Sequence, residues 1–221
     1  MPRTMLSKRT SDTIDLHLGK VLIFCEGHTE ENYFSFFQQR IKNKYDDIII
    51  VMENVNANSQ SVLNYAVRFM QNEDNHNSYY NYDKYLVFDC DAPDNILEVL
   101  DEAQGAEYGF HLLISSLLFE VWLLMHLEEL EAKPINKIKI AQKLETQLRL
   151  PPDSYEKHKN DPGLIASIIK EYRNVENAIM NAGKLRQYYS DHNIEIEAII
   201  NKHLPYSTVD ELVIQLAKAT E

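Results

Sequence analysis

The sequence offers little that would tie it to a membrane, to an oxidising compartment or to polyanions in general. Nowhere in its 221 residues does an apolar run approach the roughly 20 residues of a bilayer span. The first fifteen residues are polar and lack the apolar centre of a signal peptide, which points to the cytoplasm. There are only two cysteines, Cys25 and Cys90, both beside acids at expected strand ends. In a reducing compartment they read as small buried thiols rather than a disulfide. No Gly-rich loop ending in Gly-Lys-Ser/Thr is present, so ATP hydrolysis by this chain is not expected. Positive charge is scarce: 22 Lys and Arg stand against 34 Asp and Glu, a net charge of −12. That counts against broad nucleic-acid binding, which draws on clustered positive charge. It leaves room for a nucleic-acid enzyme whose carboxylates are offset by metal or by a local basic patch. What remains is a chain that is 44% hydrophobic, without repeats or low-complexity tracts. It is long enough for one sizeable core, or for a domain of about 130 residues with a helical extension.

The stretch Lys84 to Asp91 organises this material. Tyr85 to Phe88 reads as a buried strand that ends in two acids, Asp89 and Asp91, one residue apart. Their side chains share a direction if the chain is still extended there. Two neighbouring carboxylates repel unless one is protonated or a cation sits between them. A divalent metal with hard oxygen ligands is such a cation. Lys20 to Cys25 forms a second apolar strand, followed by Glu26-Gly27 and a helix with Tyr33, Phe34, Phe36, Phe37 and Ile41 on one face. Thr29 is the expected cap of that helix.

Ile48 to Met52 is a third strand, and Ser59 the expected cap of the helix through Val62, Leu63, Ala66 and Met70. Gln71 to Asp83 reads as a surface loop. Pro93 opens another helix, and Phe110 to Ile114 is a fourth strand. Strands alternating with helices predict a mostly parallel sheet covered on both faces, with ligands beyond the carboxyl ends of the strands. Glu26, Asp89 and Asp91 all fall on that edge. Charges gathered there are costly unless they bind something.

Leu117 to Leu127 reads as a buried helix with Trp122 and Met125 in the core. Glu120 in it has two readings: an acid stabilised by a helix N-terminus, or a further member of the acidic cluster. His126 reads as a helix-face histidine with a hydrogen-bond partner, since no second histidine stands at a ligand spacing. Beyond residue 130 the character changes to helices with a basic stretch, Lys133, Lys137, Lys139, Lys143 and Arg149. That stretch is either a solvated face or a guide for a polyanion. Gly163 to Ala182 forms one helical pattern, and Val209 to Leu216 belongs to a last amphipathic helix. The division expected is a flexible arm over 1–19, a core over 20–130 and a mainly helical extension over 131–221.

Three segments together carry a resemblance. Val21 to Phe34, with Cys25-Glu26-Gly27-His28-Thr29-Glu30-Glu31-Asn32 at its centre, resembles the opening motif of the RloB family. Val87-Phe88-Asp89-Cys90-Asp91 resembles its Asp-x-Asp motif, and Ser115 to His126 its serine, Phe-Glu-x-Trp and helix ending in histidine. Weaker matches run through Tyr155-Glu156-Lys157 to the Pro-x-Ser-Thr ending near Val213. In one place the chain departs: Leu117-Leu118 stand where family members commonly carry Asn-Pro.

The resemblance implies a Toprim-like α/β core, with a glutamate after the first strand and an Asp-x-Asp after a later one around Mg²⁺ or Mn²⁺. Glu26, Asp89 and Asp91 take those positions. It also implies a role in bacterial anti-phage defence, beside restriction–modification and abortive-infection genes, often with a partner ATPase. The leading reading is a metal-dependent nuclease acting on RNA, including tRNA, or DNA. Asp89 and Asp91 would hold the metal, and Glu26 would be a further ligand or the general base. Glu120 would complete a second site, and Lys157 would neutralise the phosphate, with Arg186 a weaker candidate. No serine or tyrosine has an evident base, so hydrolysis is preferred over transesterification. The alternative is a non-catalytic subunit that senses metal or nucleotide for the ATPase.

Overall fold

The computed structural model describes residues 18–220 apart from 47, 92 and 171. The expected arm therefore lies almost wholly outside the described residues. The elements run β1 (Lys20–Cys25), α1 (His28–Lys42), β2 (Ile49–Asn54), α2 (Ser59–Gln71), α3 (Glu73–Tyr79), β3 (Asp83–Cys90), α4 (Pro93–Gly105) and β4 (Phe110–Ser116). The helices α5 (Glu120–Leu127), α6 (Lys137–Leu148), α7 (Tyr155–His158), α8 (Pro162–Ile169), α9 (Tyr172–Asp191), α10 (Ile196–Asn201) and α11 (Asp210–Thr220) follow.

The four strands form one parallel sheet in the order β2-β1-β3-β4. The period-two alternation sorts their side chains between two cores. Val21, Ile23, Cys25, Val87 and Leu113 face the first, with α1, α5, α9 and α11. Leu22, Phe24, Leu86, Phe88 and Ile114 face the second, with α2 and α4. Both faces are covered, as continuous apolar strands require. The extension has no core of its own. Ile140, Leu144, Ile168, Ala178 and Leu216 join the same cluster as Ile23 and Phe34. Helices with one apolar face must bury it on something, and the α1 side of the sheet is what they bury it on.

The order of the strands decides where the site lies. From β1 the chain steps one way to β2 and later the other way to β3 and β4, so the sheet reverses between β1 and β3. The crevice at such a reversal, beyond the carboxyl ends of the strands, is where open α/β sheets bind ligands. Glu26 follows β1 and Asp89 is the penultimate residue of β3, one on each side of it.

Four local expectations are corrected. The segment read as a loop at 71–83 contains α3, because Asn72 accepts a hydrogen bond from the Asn75 amide while Glu73 and Asp74 sit at the positive end of the helix. Thr29 does not cap α1; the helix begins at His28, after Gly27, without a side-chain cap. Asn58, not Ser59, caps α2, accepting from the Ser61 amide at 3.0 Å. The single helical pattern at 163–182 is two helices, α8 and α9, the first opened by the Asp161 cap and Pro162.

The far edge of the sheet is closed by the chain before α11. Thr208 N donates to Ile114 O, Ser116 N donates to Tyr206 O, and Thr208 Oγ1 accepts from Ile114 N, each at 2.9 Å. This removes an open strand edge, a ready site for unwanted pairing. Arg186 of α9 secures the segment with two bonds to Asp210 at 2.6 and 2.5 Å and one to Ser207 O at 2.6 Å. Arg186 is thereby engaged in a structural network with Asp210 and Ser207. Among the described residues no helix is long and apolar enough to cross a membrane.

Candidate functional site

Each acid of the site is placed by a different element. Asp89 continues the face of β3 that carries Tyr85 and Val87, so it points towards α1 and α5 rather than α2. Its Oδ1 is sealed from solvent and, among the described residues, has no hydrogen-bond partner. Glu26, just after β1, is fixed by three groups. Ser59 Oγ donates to its Oε1 at 2.5 Å, and the Asp89 amide donates to the same oxygen at 3.0 Å. The Ala57 amide holds its carbonyl at 3.1 Å. Ser59 also donates to Asp89 O at 3.0 Å, so one hydroxyl ties the ends of β1 and β3 together. Asp91 lies one residue beyond β3, where Lys137 Nζ donates to its Oδ2 at 2.7 Å.

Glu30 and Glu120 complete the cluster from the two helices above it. Both are buried, at 5% and 7% exposure. Glu30, in the first turn of α1, packs so closely on Gly27 that a Cβ there would stand 3.3 Å from its carboxylate oxygen. A side chain at position 27 would therefore press on the Glu30 carboxylate, which would have to give by a few tenths of an ångström. Glu120 opens α5 and accepts a long 3.5 Å contact from the Tyr155 hydroxyl. Both of its readings describe its place: it stands in the first turn of α5, where its own backbone amide favours its charge, and it lies near enough to Asp89 and Glu30 to raise both.

The electrostatics follow. Burial pushes Glu26 up to about 7 against the Ser59 and Asp89 hydrogen bonds, and Asp91 adds to the rise. Burial, then the charges of Glu30, Glu26, Glu120 and Asp91, holds Asp89 well above the usual carboxylate range. Glu30 is raised by burial and by Glu120 and Glu26. Glu120 is raised by burial, against its own backbone amide and Lys159. These groups bind protons more tightly folded than unfolded, so their stabilising effect is full below about pH 4.5 and is lost as the pH rises through about 7. Glu31, Glu131 and Glu145 are shifted downward, and their contributions fade only below the ordinary carboxylate range. His126, pushed down to about 3 by burial, works the other way below its ordinary range, but it is one group against several raised acids. The protein without divalent ions is therefore expected to melt at a higher temperature near pH 5.5 than near pH 8, as checked by thermal unfolding in chelator. A midpoint that rises over that interval would contradict the cluster's arrangement.

No side-chain hydrogen bond or ion pair among the described residues ties Lys157 to this cluster. Its side chain is exposed, and it makes no ion pair among the described residues. Lys159, two residues on, stands in its place. Burial lowers it, but the hydrogen bond to Glu156 and the charges of Glu120, Glu156 and Glu30 outweigh that and raise it above the usual lysine range. Asn32 of α1 holds the neighbouring Asn160 carbonyl at 3.0 Å, which pins this segment over the site. Glu30 and Lys159 were not singled out from the sequence. Glu30 had a signal, since it lies in the opening motif; Lys159 had only its place in a polar stretch.

Before Glu120 the backbone is strained. Leu117 has φ +71°, a left-handed conformation that costs a branched, Cβ-bearing residue about 1 kcal/mol or more. Asparagine adopts that conformation more readily than leucine does. His126 behaves as expected, with Nε2 3.1 Å from the Tyr33 hydroxyl inside the core.

Among the described residues, no three Asp, Glu, His or Cys side chains stand together closely enough to hold a metal as they lie. Asp91 is engaged with Lys137, and Glu26 with Ser59. The donor chemistry nevertheless fits a hard divalent ion. It is all carboxylate, and it includes a sealed oxygen with no donor of its own. Mg²⁺ commonly takes one or two carboxylates and completes its shell with water and substrate phosphate, so a preformed cage is not required.

Fold and site together define a parallel α/β protein with a carboxylate cluster at the reversal of its sheet. The sequence places it more narrowly. A family model described as RloB-like protein matches residues 21–216, and the chain belongs to that family. No curated protein and no solved structure matches it.

Proposed function

We propose that this chain is a metal-dependent nuclease that hydrolyses phosphodiester bonds of RNA or DNA in bacterial defence against phage. The observation that carries the reading is Asp89. Among the described residues it presents a sealed oxygen without a hydrogen-bond partner in the midst of Glu26, Glu30, Glu120 and Asp91, an arrangement whose repulsion a bound cation would relieve. The defence role rests on family membership alone.

Asp89 and Asp91 would hold Mg²⁺ or Mn²⁺, with Glu26 close by. A bound ion supplies Lewis-acid stabilisation of charge on the phosphoryl oxygens. Glu26 keeps one oxygen committed to Ser59 and the Asp89 amide, leaving Oε2 to accept a proton from an attacking water. With its carboxyl pushed up to about 7, it is matched to general-base work near neutrality. Lys159 brings positive charge to the Glu120 and Glu30 side of the site, where it can face a phosphate.

A second reading is favoured by one observation: the acids do not converge into a ready ligand set. In it the chain senses metal for a partner ATPase and cleaves nothing. One experiment separates the two. Purified protein is incubated with RNA and DNA substrates, tRNA included, with and without Mg²⁺ or Mn²⁺, beside the Asp89→Ala, Asp91→Ala variant. Cleavage that needs the ion and vanishes in the variant supports the nuclease. Ion binding without cleavage of any substrate, even with the ATPase added, would leave the sensing subunit.

A further inference from the structure

The first turn of α6 is built against local preference. It holds Lys137 and Lys139 and no acid, so two positive charges sit at the positive end of the helix. Such placement is destabilising rather than helpful. Lys137 is nonetheless aimed at the site, with Nζ 2.7 Å from Asp91 Oδ2 and side chains 52% and 40% exposed. An ion pair so open to water contributes only about 0–1 kcal/mol. It is too weak to anchor α6, which is held instead by Ile140 and Leu144 in the core. It is also weak enough to be exchanged for a better cation.

Asp91 is the outermost acid of the cluster, and its charge is felt by both Glu26 and Asp89. A divalent ion that uses Asp91 must first displace the ammonium. Once displaced, Lys137 stays tethered beside the ion with its charge unpaired. The group that would then hold it is an anion bound at the same place, and a backbone phosphate of a nucleic acid has that chemistry.

We propose that Lys137 is a resident counter-ion. It neutralises Asp91 in the metal-free chain, yields it to a divalent ion and then binds a phosphate of the polyanionic substrate next to that ion. The inference rests on the nuclease reading and adds to it both a substrate contact and an order of events. It makes two predictions of opposite sign for one substitution, which a purely structural ion pair would not.

The test uses the full chain, Lys137→Met, and Lys184→Met as a control that removes a comparable exposed pair with Glu129. Mn²⁺ alone is titrated by calorimetry. A short oligonucleotide, as RNA and as DNA, is then titrated by fluorescence anisotropy with Mn²⁺ present. Lys137→Met is expected to bind Mn²⁺ up to about fivefold more tightly than wild type, the ceiling set by the worth of an exposed pair. It is expected to bind the oligonucleotide several-fold more weakly, while Lys184→Met changes neither. Equal or weaker Mn²⁺ binding by Lys137→Met, with wild type still binding, overturns this inference and leaves the metal site standing. Oligonucleotide binding that is the same in wild type and variant, or absent in both, overturns the phosphate contact. No Mn²⁺ binding by either protein, even with oligonucleotide, removes the nuclease reading and this inference with it.

Discussion

Replacing Asp89 by asparagine is expected to raise the thermal midpoint of the metal-free protein near pH 8 and to abolish ion-dependent cleavage. The two effects share one cause. Asp89 is held well above the usual carboxylate range by burial and by four neighbouring acids, so ionising it costs folding free energy. Asparagine keeps the shape and removes the charge. Relief of this kind at a strained site is worth about 0.5–2 kcal/mol. The same change removes a metal ligand, and with it several kcal/mol of transition-state stabilisation, which is about three orders of magnitude in rate. Glu26→Gln is the informative companion. Its Oε1 still accepts from Ser59 and the Asp89 amide, so the ends of β1 and β3 stay tied while the charge goes. Thermal unfolding in chelator measures the first effect, and cleavage under saturating ion the second. An Asp89→Asn protein less stable than wild type would mean that the carboxylate is a structural group with a partner, and the metal reading would fall.

The second large effect lies far from the chemistry. Arg186→Leu is expected to cost about 3–5 kcal/mol, because it leaves the Asp210 carboxylate buried without its cation. For a chain of this size that corresponds to a fall of about 10 °C in melting temperature. The position of Asp210 at the start of α11 softens the loss somewhat, since the helix N-terminus favours its charge. The consequence reaches further than one pair. Arg186 also holds Ser207 O, and residues 206–208 cover the edge of β4 through Ser116, Ile114 and Ser115. Freeing them opens a strand edge, so the variant is expected to aggregate on warming. Changing Asp210 to Leu as well should recover much of the loss, since an apolar pair leaves no orphaned charge. Urea titration of the single and double variants measures both. A single variant within about 1 kcal/mol of wild type would show that the backbone bonds alone hold the turn.

The two effects illustrate how unevenly the molecule could be read from its sequence. Glu26, Asp89 and Asp91 were legible because each follows an apolar run, and a strand followed by an acid has few other readings. Among the described residues their side chains as they lie do not converge into a ready ligand set, because Lys137 occupies Asp91 and Ser59 occupies Glu26. Ser59 has the propensity of a helix cap but does not serve as one. Asn58 took the cap, and the freed hydroxyl went to the site. For Arg186 the charge is visible in the sequence, but its partner Asp210 is not.

The sequence by itself determined the parallel sheet, its two covered faces and the edge on which the acids gather. Those follow from local periodicity, which a linear chain displays in full. The tertiary structure alone decided which charges meet. Glu30 and Glu120 join Asp89 because α1 and α5 lie on the face to which its strand parity points it. Lys159 rather than Lys157 faces the cluster because Asn32 pins the segment beyond α7. Lys137 reaches Asp91 because the extension folds back into the core of the sheet. Electrostatic pairing depends on distances between residues far apart in the chain, and only packing sets those distances.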